Sequence, residues 1–350
     1  DEEPVPEHTI EWDKSPKGNT NKIKSLEYRD LANAGSVSAA TLNGGIEDYL
    51  YENVPIEELK EQFDLSWADD KDYRILIEDD EIHEWVEGLA QTDDIVGFDT
   101  ETTGLLVNRT KRDKLVGISM SYEDHTGVYF PIAHERYENV RMGTKKLLDL
   151  LKPYCDRGSK KAKKLVTHNG GYDWRVMKMY DWDLNIVYDT FIRQGLSAIS
   201  EAKYIRKLKD ITRKVLGYDV VELEDMYRPR TKQEIAAVKD AVFVGGASVN
   251  EITRFKLETA EKQSDLMDFR YASRDFSELY GSADADFPRL LHKIMDKEWD
   301  KSLDLIYRAE IELIPVLGEQ EYYGIHAKRE DFDVLHEKAL KRMEELEELI

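Results

Sequence analysis

Ile95-Val96-Gly97-Phe98-Asp99-Thr100-Glu101-Thr102-Thr103-Gly104-Leu105 decides how this chain is read. A short apolar run ends in two carboxylates spaced two apart. On a β-strand, that spacing turns both side chains to one face. Like charges held so close repel and raise each other's pKa unless a positive group sits between them. A divalent cation meets that need. If further acids converge there, the pair belongs to a metal-dependent phosphodiesterase. The bland alternative is a solvent-facing strand end. It fits poorly with a flanking run that reads as buried and threonine-rich rather than loop-like.

Outward from this segment, strand and helix patterns alternate. Asp72-Tyr73-Arg74-Ile75-Leu76-Ile77 predicts a strand starting at Tyr73. Ile82, Trp85, Val86 and Leu89 fall at helical spacing. Strands are predicted over 115–122 and 128–132, with Gly127 between them as a turn signal. Thr144 to Leu151 reads as an amphipathic helix, 165–167 as a short strand, and 186–188 as the last strand. A helix is expected from about Gly171, and from Asp189-Thr190 to Leu313 the chain is mostly helical. The class is α/β: a mixed, antiparallel-leaning sheet flanked by helices, with a mainly helical C-terminal part.

Three divisions follow. Residues 1–72 are an N-terminal extension or accessory segment, poorly ordered over 1–25, with helical patterning at Pro55–Phe63. Residues 73–300 form the core domain, with a charged insertion or flexible lobe at about 229–270 around Gly245-Gly246-Ala247-Ser248. Residues 301–350 form a further helical region, ending in a charged helix from Arg329 that has few neighbours to pack on.

Composition narrows the function. Against 72 acidic residues stand 50 Lys and Arg, a formal net charge of -22, which does not suggest a general nucleic-acid-coating surface. It does not exclude a local carboxylate cluster that faces a substrate strand through bound cations. Cys155 is the only cysteine, so no intrachain disulfide forms, and a reducing intracellular setting fits. No apolar run approaches the ~18–20 residues of a membrane span, and the acidic N-terminus is unlike a signal peptide. The chain opens on Asp rather than Met, as a processed or trimmed piece would.

Two further segments carry acids at telling positions. In Leu165-Val166-Thr167-His168-Asn169-Gly170-Gly171-Tyr172-Asp173, Asn169 and Asp173 lie four apart at a strand-to-helix junction, on one helix face. Alone, that is an N-capping Asn with a first-turn Asp. In Glu278-Leu279-Tyr280-Gly281-Ser282-Ala283-Asp284-Ala285-Asp286, Tyr280 and Asp284 repeat the spacing. Alone, that is a buried hydroxyl bonded to its neighbour. Tyr271 and Asp275 compete for the same role nine residues earlier. The small residues at 281–283, which let a metal or strand approach the helix, favour Tyr280 and Asp284.

In this order, the three segments resemble the exonuclease motifs of the DEDD superfamily in its tyrosine subclass. They are most similar to the proofreading domain of bacterial and phage family A DNA polymerases. The likeness spans roughly 73–292 and includes Tyr129-Phe130-Pro131-Ile132-Ala133-His134, Asp189-Thr190 and Leu208-Lys209-Asp210-Ile211. It implies a ribonuclease H-like fold. Asp99, Glu101, Asp173 and Asp284 would hold two divalent ions, Mg²⁺ or Mn²⁺, with Asp99 bridging both. The zinc spacing of His and Cys is absent. Tyr280, too weak an acid to be a good base, would orient the attacking water. Thr102 would offer its N–H to the terminal 3′-hydroxyl, Leu105 would wedge between terminal bases, and His168 and Asn169 would lie near the substrate strand. His134 reads as a structural hydrogen-bonding residue. The histidine subclass would place its base at position 279, which is Leu.

The implied activity is 3′→5′ hydrolysis of single-stranded or frayed DNA to nucleoside 5′-monophosphates. Glu310 to Leu317, followed by Tyr323-Gly324-Ile325, resembles the passage into the polymerase part of that family, with the last helix as the start of a thumb. No polymerase motifs follow, so the expectation is a proofreading piece without polymerisation. Its partners would be single-stranded or primer-terminus DNA and a polymerase domain in cis or other replication proteins. Its setting would be the cytoplasm of a bacterial cell or phage-infected host. Two rivals stand beside this reading. One is an RNA-trimming nuclease similar to ribonuclease D. The other is a binding module that has lost catalysis, which should lack a carboxylate, and none is missing.

Overall fold

The computed structural model describes residues 45–106, 113–197, 206–324 and 328–347, so the expectations for residues 1–25 and Ile325 lie outside the described residues. Six strands form one mixed sheet: β1 (Asp72–Ile75), β2 (Val96–Thr102), β3 (Leu115–Ser121), β4 (Thr126–Pro131), β5 (Leu165–Thr167) and β6 (Ile186–Asp189). Their order across the sheet is β1-β4-β3-β2-β5-β6. β3 runs antiparallel to its neighbours β2 and β4, and the other pairings are parallel. The tight Glu123–Thr126 turn, with His125 in the left-handed region, makes the β3–β4 hairpin.

β2 is central, and its alternation divides the molecule. Val96, Phe98 and Thr100 face one side, and Gly97, Asp99 and Glu101 the other. Behind the first side lies the main core, built on helices α3 (Asp79–Gln91), α4 (Thr144–Cys155) and α5 (Gly171–Lys178). Ile82, Trp85, Val86 and Leu89 of α3 bury the stripe that the sequence predicts. Further along the chain come α6 (Thr190–Ser197), α7 (Leu208–Val215), α8 (Lys232–Phe243) and α9 (Glu251–Thr259). They are followed by α10 (Arg274–Lys297), α11 (Asp304–Tyr323) and α12 (Arg329–Glu347).

Two packing relations differ from the linear divisions of the sequence. The short helices α1 (Ile46–Leu50) and α2 (Ile56–Gln62) join the 229–270 insertion in a second core. There Leu50, Tyr51 and Val54 meet Tyr227, Val238, Leu257 and Phe269, and Tyr51 stacks on Tyr271 with centroids 4.2 Å apart. The insertion is therefore a packed pair of helices closed by the N-terminal segment. At the other end, α11 sends Tyr307, Ile311 and Ile314 into the main core, so residues 301–323 pack on the core domain rather than beside it. The described side chains of α12 are exposed throughout.

α10 crosses the sheet on the Gly97, Asp99 and Glu101 side, from β1 to β5. Ser273 caps its start by accepting from the Phe276 N–H. Three polar ties fix its height. The Ile75 N–H donates to Glu278 (3.2 Å), Tyr73 Oη donates to Asp286 (2.9 Å), and the His125 N–H donates to the same carboxylate (3.1 Å). Arg289, 1% exposed, donates to the Ile95 carbonyl and pairs with Asp94 (3.1 Å) and Asp124 (2.8 Å). Glycine makes the approach sterically feasible: a Cβ at Gly97 would lie 1.9 Å from the Ala285 carbonyl oxygen. Gly97→Ala must push α10 off the sheet, and it is expected to cost about 2–3 kcal/mol, as overpacked cores do. Urea titration followed by tryptophan fluorescence measures this. An unchanged midpoint would contradict the close seat of α10 on β2.

Candidate active site

Seating α10 on β2 places Asp284 over the acidic pair. One carboxylate oxygen each from Asp99, Glu101 and Asp284 lies within 4.8 Å of the others. β2 delivers the first two because it stays regular through Glu101, where Asp99 pairs with Ser119 and Glu101 with Gly117. The register slips after Glu101, ending the strand in a bulge of the kind that re-aims side chains beside functional sites.

Asp173 approaches from the opposite face of β2. Its Oδ1 accepts from Thr100 Oγ1 at 2.7 Å, and it stands beside the trio rather than within it. Its charge nonetheless reaches Asp99. Burial raises the Asp99 carboxyl far above its usual range, with repulsion from Asp173, Glu101 and Asp284 adding to the shift. Glu101 is raised by burial and then by Asp284. Burial also raises Asp284, and raises Asp173 to about 7 against the hydrogen bond from Thr100.

Among the described residues, one positive group meets this cluster. Lys209 on α7, 5% exposed, pairs with Asp284, and its Nζ lies 4.0 Å from the centroid of the Tyr280 ring. Nothing in the spacing of the motifs assigns Lys209 a role. Its only signal was its place beside Leu208, Ile211 and Thr212 on the buried face of α7, an odd position for an ammonium.

Tyr280 stacks on Phe276 (5.1 Å) next to Asp284, and burial with the nearby carboxylates raises its phenol far above the usual range. It stays a neutral hydroxyl. The competing Tyr271 lies in the second core, its hydroxyl accepting from Asn250 at 2.7 Å, and Asp275 is exposed. Geometry therefore brings Tyr280 and Asp284 to the trio and leaves Tyr271 and Asp275 away from it.

The expected substrate residues surround the carboxyl end of β2. Thr102 Oγ1 donates to the Gly104 carbonyl (2.9 Å) and meets the Tyr172 hydroxyl, which donates to the same carbonyl (2.9 Å). Leu105 is 80% exposed at the end of this loop. Asn169 is exposed with φ 63, a left-handed value that Asn tolerates better than most residues. The loop is held by Asp189, which accepts from Thr167 Oγ1 (2.9 Å), the Gly170 N–H (2.7 Å) and the Ile192 N–H (2.9 Å). His168 Nδ1 is bonded to Thr190 Oγ1 (2.8 Å), and burial lowers the ring to about 4, so it is neutral. His134 lies elsewhere, its Nε2 meeting Tyr129 (2.7 Å) and Tyr137 (2.9 Å).

Residues 73–242 match the profile of a family described as 3′-5′ exonuclease. The matched stretch is just under half of the chain. It contains Asp99, Glu101 and Asp173, while Tyr280 and Asp284 follow it in the chain. The six-stranded mixed sheet, its flanking helices and the helical C-terminal part are the α/β arrangement that the sequence predicts. No curated protein matches the chain. Solved structures similar to it include NrnC of Brucella melitensis, at 18% identity over 72% of this chain and 92% of that one, TM-score 0.40. Another is RNase D of Escherichia coli, described as an exoribonuclease involved in structured RNA processing, at 12% identity over 73% and 52%, TM-score 0.42. A third is the POL domain of Pol1 from M. smegmatis with primer-template DNA, at 14% identity over 78% and 35%, TM-score 0.45.

The donor set of this site fits a hard divalent cation. All three converging groups offer carboxylate oxygens, and their mutual repulsion is what a cation relieves. Stability should report that repulsion. Asp173 titrates near 7 in the fold and near 4 when unfolded. Between those values the folded state holds the extra proton, so this group's contribution to stability falls as pH rises. The neutral buried rings of His134, His168 and His292 act oppositely, since they favour the unfolded state at low pH. A difference isolates the carboxyl. In EDTA, the melting temperature of Asp173→Asn minus that of the parent should grow between about pH 5 and about pH 7.5. A flat or shrinking difference would contradict the raised pKa.

Proposed function

We propose that this chain is a divalent-metal-dependent 3′→5′ exonuclease that shortens single-stranded or frayed DNA to nucleoside 5′-monophosphates, as the proofreading part of a family A DNA polymerase. The observation that carries the reading is the convergence of Asp99, Glu101 and Asp284 beneath α10, with Tyr280 at their edge. Asp99, Glu101, Asp173 and Asp284 would hold Mg²⁺ or Mn²⁺, which would supply an acidified water and neutralise charge on the leaving oxygen.

The chain's own groups do the rest. Tyr280, neutral at working pH, orients the attacking water through its hydroxyl rather than taking its proton. Thr102, in the turn braced by Tyr172, would offer its backbone N–H to the terminal 3′-hydroxyl. Leu105, exposed at the end of that turn, is free to pack against the terminal base. Asn169 and His168 border the strand from the loop after β5, with His168 fixed by Thr190. Among the described residues, no helix is long and apolar enough to cross a membrane. We place the protein in the cytoplasm of a bacterial cell or an infected host, with polymerase as partner.

DNA is preferred to RNA on the polymerase-like run from Glu310 to Leu317, which here forms the α11 segment packed against the domain. Matched 5′-labelled DNA and RNA oligonucleotides with Mg²⁺ test the reading. Stepwise shortening from the 3′ end should be faster on DNA. Asp99→Ala and Asp284→Ala should each lose about a hundredfold or more, exceeding the loss typical of residues that only support metal ligands. Equal rates in parent and variants would exclude this site, and faster RNA trimming would move the substrate to RNA.

A further inference from the structure

Lys209 is the feature that the proposed mechanism does not use. Its ammonium is buried among acids and pairs with Asp284, one of the three converging carboxylates. Its charge also offsets the repulsion felt by Asp99 and Glu101. A structural ion pair that merely docks α7 on α10 is a poor explanation. That contact is already made by Leu208, Ile211, Ala283, Phe287 and Leu291. In the same position the ammonium lies 4.0 Å from the centre of the Tyr280 ring, a favourable cation–π distance, so it has a partner besides Asp284.

We propose that Lys209 is the resident counter-cation of the carboxylate site: its ammonium holds Asp284 while no divalent ion is bound, and an ion binds there by displacing it. The inference rests on the metal-dependent reading above. Its physical basis is competition. Two cations sharing one carboxylate repel, so the ion must first break the lysine's pair, and its apparent affinity falls by the cost of doing so. In return, the acids stay ordered without metal. The lysine thereby sets the concentration of divalent ion at which the exonuclease site fills.

The test uses the full chain, with Mn²⁺ as probe, and reads binding rather than turnover. Calorimetric titration of the parent, Lys209→Met and Lys209→Gln gives the affinities, and thermal melting in EDTA gives the stability of the metal-free state. Both variants should bind Mn²⁺ about tenfold tighter or more, because an internal competitor is gone. Both should melt lower than the parent in EDTA, a deficit that Mn²⁺ closes. A variant that folds only with Mn²⁺ present supports the same conclusion. Equal or weaker Mn²⁺ binding by both variants overturns the counter-cation role while leaving the metal site standing. No Mn²⁺ binding by the parent overturns the metal reading, and this proposal with it.

Discussion

The site depends on how closely α10 can lie against β2. Asp284 belongs to a helix and Asp99 and Glu101 to a strand, so a shift of α10 by the width of a methyl group separates them. Gly97 and Gly127 on the sheet and Gly281 on the helix leave out side chains that would stand between them, and at Gly97 the Ala285 carbonyl takes that place. Arg289, Asp286 and Glu278 then hold the helix against β1, the start of β2 and the β3–β4 turn. These ties are buried or partly buried, and the protein can afford them because each charged group has a partner. A fold that placed α10 even slightly higher would keep its hydrophobic core and lose its carboxylate trio.

The cost of that closeness is electrostatic. Three carboxylates share a small volume with a fourth beside them, and burial raises all four away from their usual pKa range. Lys209 is the chain's own answer, and a divalent cation is a stronger one. Local strength is spent on function in the way expected of active sites, where consistent packing elsewhere compensates for groups that oppose one another.

Much of this was legible in the sequence. The period-two run ending at Asp99 and Glu101 fixed the face that those residues share, and the strands and helices from 73 to 189 follow their hydrophobic periods closely. The i,i+4 rule found Tyr280 and Asp284 but could not separate them from Tyr271 and Asp275, since spacing along one helix is blind to what lies opposite. The partner that decides it is Tyr51, more than two hundred residues away in the chain, stacked on Tyr271. The same distance hid the role of residues 46–68, whose apolar groups find their core only against the 229–270 insertion. Lys209 escaped because a lysine on a short helix ordinarily reads as a solvated charge. Nor does spacing reveal that Asp173 is tied to Thr100 on the far face of β2.

The central claim is that these four acids form one divalent-metal site. Crystals grown with Mn²⁺ and measured at a wavelength where manganese scatters anomalously test it most directly. Anomalous peaks should lie between Asp99, Glu101 and Asp284, with Asp173 beside them and the Lys209 ammonium turned away from Asp284. Peaks elsewhere, or none at these carboxylates with Lys209 still on Asp284, would contradict it.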